Sequence, residues 1–160
     1  MAVALRLAKP IESEAAMEVK SAGKNSRQTN CLNESRSYNI LVIDDDITNS
    51  YILFEVFSRI LGHTVRCVNN GAEGAEVFKS QKFDIVITDI NMPGLNGYET
   101  ALRIRSGDEK VPILALTGSL ESDLSEKIKK SGINAFVSKP YNIFSLALLI
   151  NSLIENSAEV

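Results

Sequence analysis

The sequence has no tryptophan, one histidine and two cysteines, and this scarcity excludes several kinds of site. Cys31 and Cys67 stand alone, without the Cys-x-x-Cys or Cys/His spacings of a zinc site, and they make no disulfide framework. This cysteine usage is typical of a reducing compartment, so we expect a cytoplasmic location. His63 follows Gly62 at the predicted start of a strand, so we expect a structural role for it and not phosphoryl chemistry.

Strong charge and long apolar runs are missing as well. The formal net charge is only -3 and the basic residues are scattered, so we expect no direct nucleic-acid partner. The apolar stretches at residues 1–10 and 144–154 are interrupted by polar residues and too short to cross a bilayer, so we expect no targeting or membrane segment. No Gly-Lys-Ser/Thr follows Gly71 and Gly74, so a nucleotide-binding P-loop is not supported.

The chain has room for one sizeable core, since 160 residues are too few for two ordinary domains. Residues 1–37 are rich in Ser, Asn, Lys and Glu and show no sustained apolar period, which predicts a flexible N-terminal extension. Within it, residues 11–19 carry a weak amphipathic helical pattern. We expect the folded domain at residues 38–156 and a short C-terminal tail at residues 157–160.

From Tyr38 onward, short β-rich runs alternate with longer helical patterns, which predicts five strands and five helices. The first helix is predicted over ITNSYILFEVFSRIL, closed by Gly62. The runs YNILVI and FDIVITD are almost continuously apolar, as in parallel strands covered by helices on both faces. Right-handed crossovers then give an α/β fold with a doubly wound five-stranded parallel sheet.

Polar side chains follow four of the five predicted strands. Asp44, Asp45 and Asp46 follow the first strand, Asp89 the third, Thr117 the fourth and Lys139 the fifth. The carboxyl ends of parallel strands meet at one edge of the sheet, where functional groups gather. Converging carboxylates repel one another, and a hard divalent cation such as Mg2+ relieves that repulsion. A cation, an ammonium and a hydroxyl at one edge could hold a phosphoryl group, and a carboxylate can be its nucleophile.

Four segments occur in a fixed order: ILVIDDD, FDIVITDINMPGLNG, ALTG and FVSKP. In order and separation they resemble the signature segments of response-regulator receiver domains. Four ordered motifs are far more specific than any one of them. The resemblance covers roughly residues 38–156 and implies a flavodoxin-like (βα)5 receiver fold.

By this resemblance Asp89 is the phosphoacceptor and becomes a 4-aspartylphosphate. Asp45 is a direct ligand of Mg2+ or Mn2+, Asp44 acts more through water, and the backbone carbonyl of Asn91 supplies another ligand. Asp89 itself completes the metal site.

The resemblance also assigns the residues that sense the phosphoryl group. Thr117 supplies a hydroxyl and Lys139 an ammonium. Phe136, three residues before the lysine, occupies an aromatic switch position. The Lys139–Pro140 peptide bond is implied to be cis, which an X-Pro bond permits at modest cost.

A second interpretation comes from a different class of protein. Asp44 to Thr48 also fit D-x-D-x-T, the nucleophile motif of haloacid-dehalogenase-like phosphatases, with Asp44 as nucleophile and Asp46 as acid/base. It leaves Asp89 unexplained and lacks a further acidic pair downstream. We expect Asp46 instead to cap the following helix.

The function that the resemblance implies is that of a phosphoacceptor response regulator in a two-component or phosphorelay system. The donor is then a phosphohistidine on a sensor histidine kinase or histidine phosphotransfer protein. The chain is not expected to be an enzyme beyond catalysing its own phosphorylation and dephosphorylation. Since no effector domain follows Asn156, we expect output through protein contacts, as a stand-alone regulator or relay intermediate. A binding module that has lost phosphorylation is disfavoured, because every site residue is present.

Overall fold

The structure, a computed structural model, describes residues 36–118 and 123–158. The chain divides into two units, residues 1–35 and 36–160. The first unit, with the predicted helical pattern at residues 11–19, lies outside the described residues. The architecture below belongs to the second unit.

A parallel sheet forms the centre of this unit, as the sequence predicts. Its strand order is β2-β1-β3-β4-β5, and every neighbouring pair is parallel. The order reverses direction at β1, which is the doubly wound arrangement. The strands are β1 (Asn39–Ile43), β2 (Thr64–Val68), β3 (Ile85–Asp89), β4 (Ile113–Thr117) and β5 (Ala135–Ser138).

Helices connect the strands on both faces of the sheet. They are α1 (Ile47–Phe54), α2 (Gly71–Ser80), α3 (Gly97–Arg105), α4 (Leu124–Ser131) and α5 (Ile143–Ala158). In the described ranges, no helix has both the length and the hydropathy needed to cross a bilayer.

The first helix differs from its prediction. It is α-helical only to Phe54 and continues as a π-helical segment, Glu55–Ile60. The amide of Leu61 accordingly donates to the carbonyl of Val56, five residues back, at 3.0 Å. The periodicity of the apolar residues does not distinguish this hydrogen bond from the α-helical one, so the π-helical segment could not be predicted from the sequence.

Two apolar layers sandwich the sheet, because successive side chains of a strand point to opposite faces. Leu41 and Ile43 of β1 pack in a cluster with α3 and α4, while Ile40 and Val42 pack in a second cluster with α1 and α5. All five residues of β3 and of β4 are buried. Burial on both faces explains why the central strands read as continuous apolar runs.

Side-chain caps start three helices at one edge of the sheet. Asp46 accepts a hydrogen bond from the amide of Thr48 at 2.8 Å, which confirms its predicted capping role. Asn70 caps α2, and Asn96 caps α3 in a reciprocal capping box with Glu99. These caps fix where the helices begin after β1, β2 and β3.

Candidate functional site

Three carboxylates converge at the carboxyl ends of two adjacent central strands. Asp44 follows β1 and Asp89 ends β3; both are buried, whereas Asp45 is exposed. The strands pair side by side, with Ile43 opposite Thr88. One carboxylate oxygen from each aspartate lies within 4.8 Å of the other two. The structure therefore brings together the acidic residues that the sequence predicts.

Lys139 follows the edge strand β5, and its side chain reaches two of these carboxylates. Its Nζ donates to Oδ2 of Asp89 at 2.7 Å and to Oδ2 of Asp44 at 3.2 Å. Its backbone amide donates to the carbonyl of Thr117 at 2.7 Å, which anchors the lysine at the end of β4. The Lys139–Pro140 bond is cis, as the resemblance implies.

The charges of the site shift the pKa values of its members. Burial alone would lower the pKa of Lys139, but its hydrogen bond to Asp89 and the charges of Asp44 and Asp89 outweigh burial and raise it. Burial raises the pKa of Asp44; the amide of Asp46 and the charge of Lys139 oppose this, and the charge of Asp89 adds to it. The two raised pKa values are consistent with each other, because Asp44 and Asp89 share one ammonium, which cannot fully offset the charge of both carboxylates.

This donor set suits a divalent cation. Hard cations take oxygen ligands, and three carboxylates within reach of one another carry more negative charge than Lys139 neutralises. Two carboxylates are held in place by backbone amides: Asp46 donates to Oδ1 of Asp44 at 2.9 Å, and Asn91 donates to Oδ1 of Asp89 at 3.2 Å. Asn91 thus lies beside Asp89, and ligation by its carbonyl stays a prediction.

Thr117 and Phe136 lie on neighbouring strands. Thr117 ends β4 and is buried, two residues after Ala115, which pairs with Phe136 of β5. Ala115 and the half-buried Phe136 both pack in the cluster that includes α3 and α4. Because residues two apart share a face of a strand, Thr117 lies on the face of the sheet that carries Phe136.

Two further residues belong to the site's surroundings and were not singled out from the sequence. Gly97, the first residue of α3, donates its amide to Ile90 at 3.0 Å, and a Cβ there would overlap the carbonyl oxygen of Asp89. Only glycine allows this close approach.

Burial raises the pKa of Tyr141, and the charges of Lys139, Asp44 and Asp89 also act on it. Its sole sequence signal is its position two residues after Lys139.

Comparison with known proteins agrees with this geometry. The sequence profile of the response regulator receiver domain matches residues 40–151. The receiver domain of a Pseudomonas aeruginosa sensor histidine kinase, solved with a magnesium ion in its active-site cleft, is similar with a TM-score of 0.68 and 28% identity, covering 75% of this chain and 99% of that one. Vibrio cholerae chemotaxis protein CheY4 is similar with a TM-score of 0.69 and 25% identity, covering 74% of this chain and 99% of that one. The chain belongs to the response regulator receiver domain family.

Longer proteins also contain this unit. The chain is 31% identical over 118 residues to the transcriptional regulatory protein ZraR of Klebsiella oxytoca, covering 74% of this chain and 26% of ZraR. It is 30% identical over 104 residues to the sensor histidine kinase RcsC of Escherichia coli, covering 65% of this chain and 11% of RcsC. The chain thus spans about a quarter or less of these relatives' length. These matches give the phosphatase interpretation no support.

Proposed function

We propose that this receiver accepts a phosphoryl group from a phosphohistidine donor onto Asp89, with Mg2+ or Mn2+ bound beside it. The observation that carries the proposal is the position of the Asp89 carboxylate: it lies at the carboxyl end of β3, hydrogen-bonded to Lys139 and within 4.8 Å of two other carboxylates. Family membership supplies the donor class, a sensor histidine kinase or histidine phosphotransfer protein.

The chain's own residues would then have separate roles. A carboxylate oxygen of Asp89 attacks phosphorus in line, the new O–P bond forms, and the N–P bond to the donor imidazole breaks. Lys139 turns its ammonium from the carboxylate to a phosphoryl oxygen, and Thr117 offers its hydroxyl to another. Attack of water on phosphorus later breaks the O–P bond to Asp89, releases orthophosphate and restores the carboxylate, so the domain also catalyses its own dephosphorylation.

The metal would be held by Asp45, Asp89 and the carbonyl of Asn91, with Asp44 acting through water. When bound, it neutralises charge on the phosphoryl oxygens and aligns them for transfer. The fit rests on the oxygen-only donor set and on the unbalanced negative charge around Asp44.

A donor must reach Asp89 from the rim of the sheet, and exposed apolar side chains flank that approach. Helices α1 and α5 cover the same face of the sheet. The first two turns of each helix expose Ile47 and Tyr51 on α1 and Phe144 and Leu148 on α5. We assign these four side chains to docking of the phosphohistidine donor, because apolar contact there leaves the carboxylates free to react.

The remaining expectations complete the proposal. We place the receiver domain at residues 38–156, its action in the cytoplasm, and its output in protein contacts with a downstream target. The phosphorylated form is favoured when partners bind it selectively.

The direct test is phosphorylation by a small-molecule donor. We expect acetyl phosphate with Mg2+ to add the mass of one phosphoryl group to the purified chain, and Asp89→Asn to abolish the addition in intact-mass spectrometry. Asp46→Asn is the matched control, since asparagine is an equally good helix cap and the variant changes only the neighbouring acid.

The outcomes separate the two interpretations. Labelling lost in Asp89→Asn and retained in Asp46→Asn supports the receiver. Labelling that persists in Asp89→Asn and maps to Asp44, with turnover lost in Asp46→Asn, would establish the phosphatase chemistry instead.

A further inference from the structure

Arg105, the last residue of α3, has an unusual set of partners for a half-buried cation. Its Nε donates to the carbonyl of Gly132 at 2.9 Å, its Nη1 to the carbonyl of Asp108 at 3.1 Å and its Nη2 to Oδ1 of Asn134 at 2.8 Å. All three acceptors are neutral oxygens. Burial lowers the pKa of the Arg105 guanidinium, and the charge of Asp108 acts against that shift. Three directed hydrogen bonds from one planar group hold these acceptors in place relative to α3.

What it binds is the turn between α4 and β5. Gly132 closes α4 with a φ of 72°, a left-handed conformation that favours glycine. The side chain of Arg105 also packs directly on this glycine, with Cγ 3.0 Å from the position a Cβ would occupy. Backbone conformation and a side-chain contact therefore hold the turn together.

Asn134 passes this restraint to the sheet. Its backbone amide donates to the carbonyl of Ile113 at 2.9 Å, and its Oδ1, which already accepts from Arg105, also accepts from the amide of Ile113 at 2.8 Å. Asn134 thus binds both backbone groups of the first residue of β4. It is also the residue immediately before β5.

Few other contacts hold the register of β5 within the sheet. Within the described part of the chain, β5 is a four-residue edge strand that pairs with β4 alone. A slip of one residue turns every side chain of a strand to the opposite face. Lys139 follows β5 directly, so such a slip would carry it away from Asp89 and Asp44.

We propose that Arg105 is a positioning residue for the phosphoacceptor site: by holding Asn134 against β4, it sets the register of β5 and so places the ammonium of Lys139 beside Asp89. Its effect on phosphoryl transfer rests on the proposed function. Its effect on the position of Lys139 does not, and can be measured without phosphorylation.

The first measurement is the NMR signal of the Lys139 ammonium in the metal-free protein. Arg105→Gln should move this signal toward that of the exposed Lys129, because the contacts with Asp89 and Asp44 loosen. Arg103→Gln removes the same charge from an exposed position on the same helix and should leave the signal in place. Arg105→Lys should give an intermediate result, since one ammonium cannot reproduce the planar fork. Asn134→Ala breaks the same connection from the other side and serves if Arg105→Gln does not fold.

The second measurement is a double-mutant cycle with Lys139 on the rate of phosphorylation by acetyl phosphate. Misplacing a catalytic group by about 1 Å costs up to about a hundredfold in rate, so Arg105→Gln should slow the reaction by about tenfold to a hundredfold. Adding Arg105→Gln to Lys139→Ala should then have no further effect, because the residue it positions is gone.

Two results would overturn the inference: an unchanged Lys139 signal in a folded Arg105→Gln protein, or additive effects in the cycle. A wild-type chain that accepts no phosphoryl group would refute the proposed function instead, and the NMR comparison would still decide the role of Arg105.

Discussion

Asp45 is the exposed carboxylate of the site, whereas Asp44 and Asp89 are buried. A cation arriving from solvent meets it first, and little else restrains its side chain. The two buried carboxylates are already bonded to Lys139. We therefore expect the affinity of the proposed metal site to depend most on Asp45.

We predict that Asp45→Ala abolishes Mg2+ binding and phosphorylation together, as measured by isothermal titration and intact mass. In the metal-free state the variant should be slightly more stable than wild type, by less than about 1 kcal/mol, because one of three repelling charges is removed and exposed charges are well screened. Urea denaturation measures this difference. An unaltered Mg2+ titration would show that the metal ligands are assigned wrongly.

Single residues also show the limits of reasoning from sequence. Asp44, Asp89 and Lys139 could be predicted to meet, because the ends of parallel strands share an edge. The contacts of Arg105 could not, since they join residues 27 and 29 positions apart through a side chain whose direction no local pattern encodes. The requirement for glycine at position 97 could not be predicted for a similar reason, because it arises from the carbonyl of Asp89 on a different element.

The proposed output involves two neighbouring strands, β4 and β5. Thr117 is buried at the end of one, and Phe136 is half-buried on the same face of the next. A hydroxyl drawn toward a phosphoryl oxygen would vacate space into which the aromatic ring could turn. Two packings of one cluster would then be biased by one hydrogen bond.

We predict that Thr117→Ala leaves phosphorylation of Asp89 largely intact, since the nucleophile and the metal ligands remain, but uncouples it from Phe136. NMR shifts of the Phe136 region should change on binding beryllofluoride in the wild-type protein and change much less in the variant. Thr100→Ala, a buried threonine on α3, controls for the loss of a hydroxyl in general. Equal shift changes in wild type and Thr117→Ala would refute the linkage.

The order of elements could be predicted because apolar period and strand-end chemistry agree along the chain. The interior of the first helix could not. Its π-helical segment keeps Phe57 in the core, as an unbroken α-helix would also have done, so the burial pattern is silent about it. Periodicity reports which face is buried and not which carbonyl an amide selects.

His63 lies just before the start of β2, at the edge of the sheet opposite the candidate site. Its ring lies between Tyr38 and Phe57, with centroids 5.3 and 6.4 Å away, and its Nδ1 is buried without a hydrogen-bond partner among the described residues. Burial lowers the pKa of His63 from its ordinary value of 6.5, and no charged group contributes to the shift. The structural role expected for this histidine is consistent with these surroundings.

We predict that this residue makes stability depend on pH. Because the pKa is lowered on folding, the unfolded chain binds the proton more readily, so stability is fully present above about pH 6.5 and declines as pH falls below it. Asp44, whose pKa is raised, contributes in the opposite direction at lower pH, so the comparison needs a matched variant.

That variant is His63→Phe, which keeps a ring in the aromatic contact but cannot take a proton. Urea midpoints between pH 5 and 8 should fall toward acid for the wild-type chain and much less for His63→Phe. Parallel curves for the two proteins would show that His63 does not titrate on unfolding.

The net charge of the site determines how far its electric field extends into solvent. Three carboxylates and one ammonium leave a formal charge of -2 before a metal binds. A divalent cation would bring this to zero, and replacing the Asp89 carboxylate by a dianionic phosphoryl ester would then give -1. The resting and phosphorylated forms thus differ by a single charge, and at physiological ionic strength its field fades within about 8 Å. A partner would therefore have to contact the domain directly to distinguish the two forms.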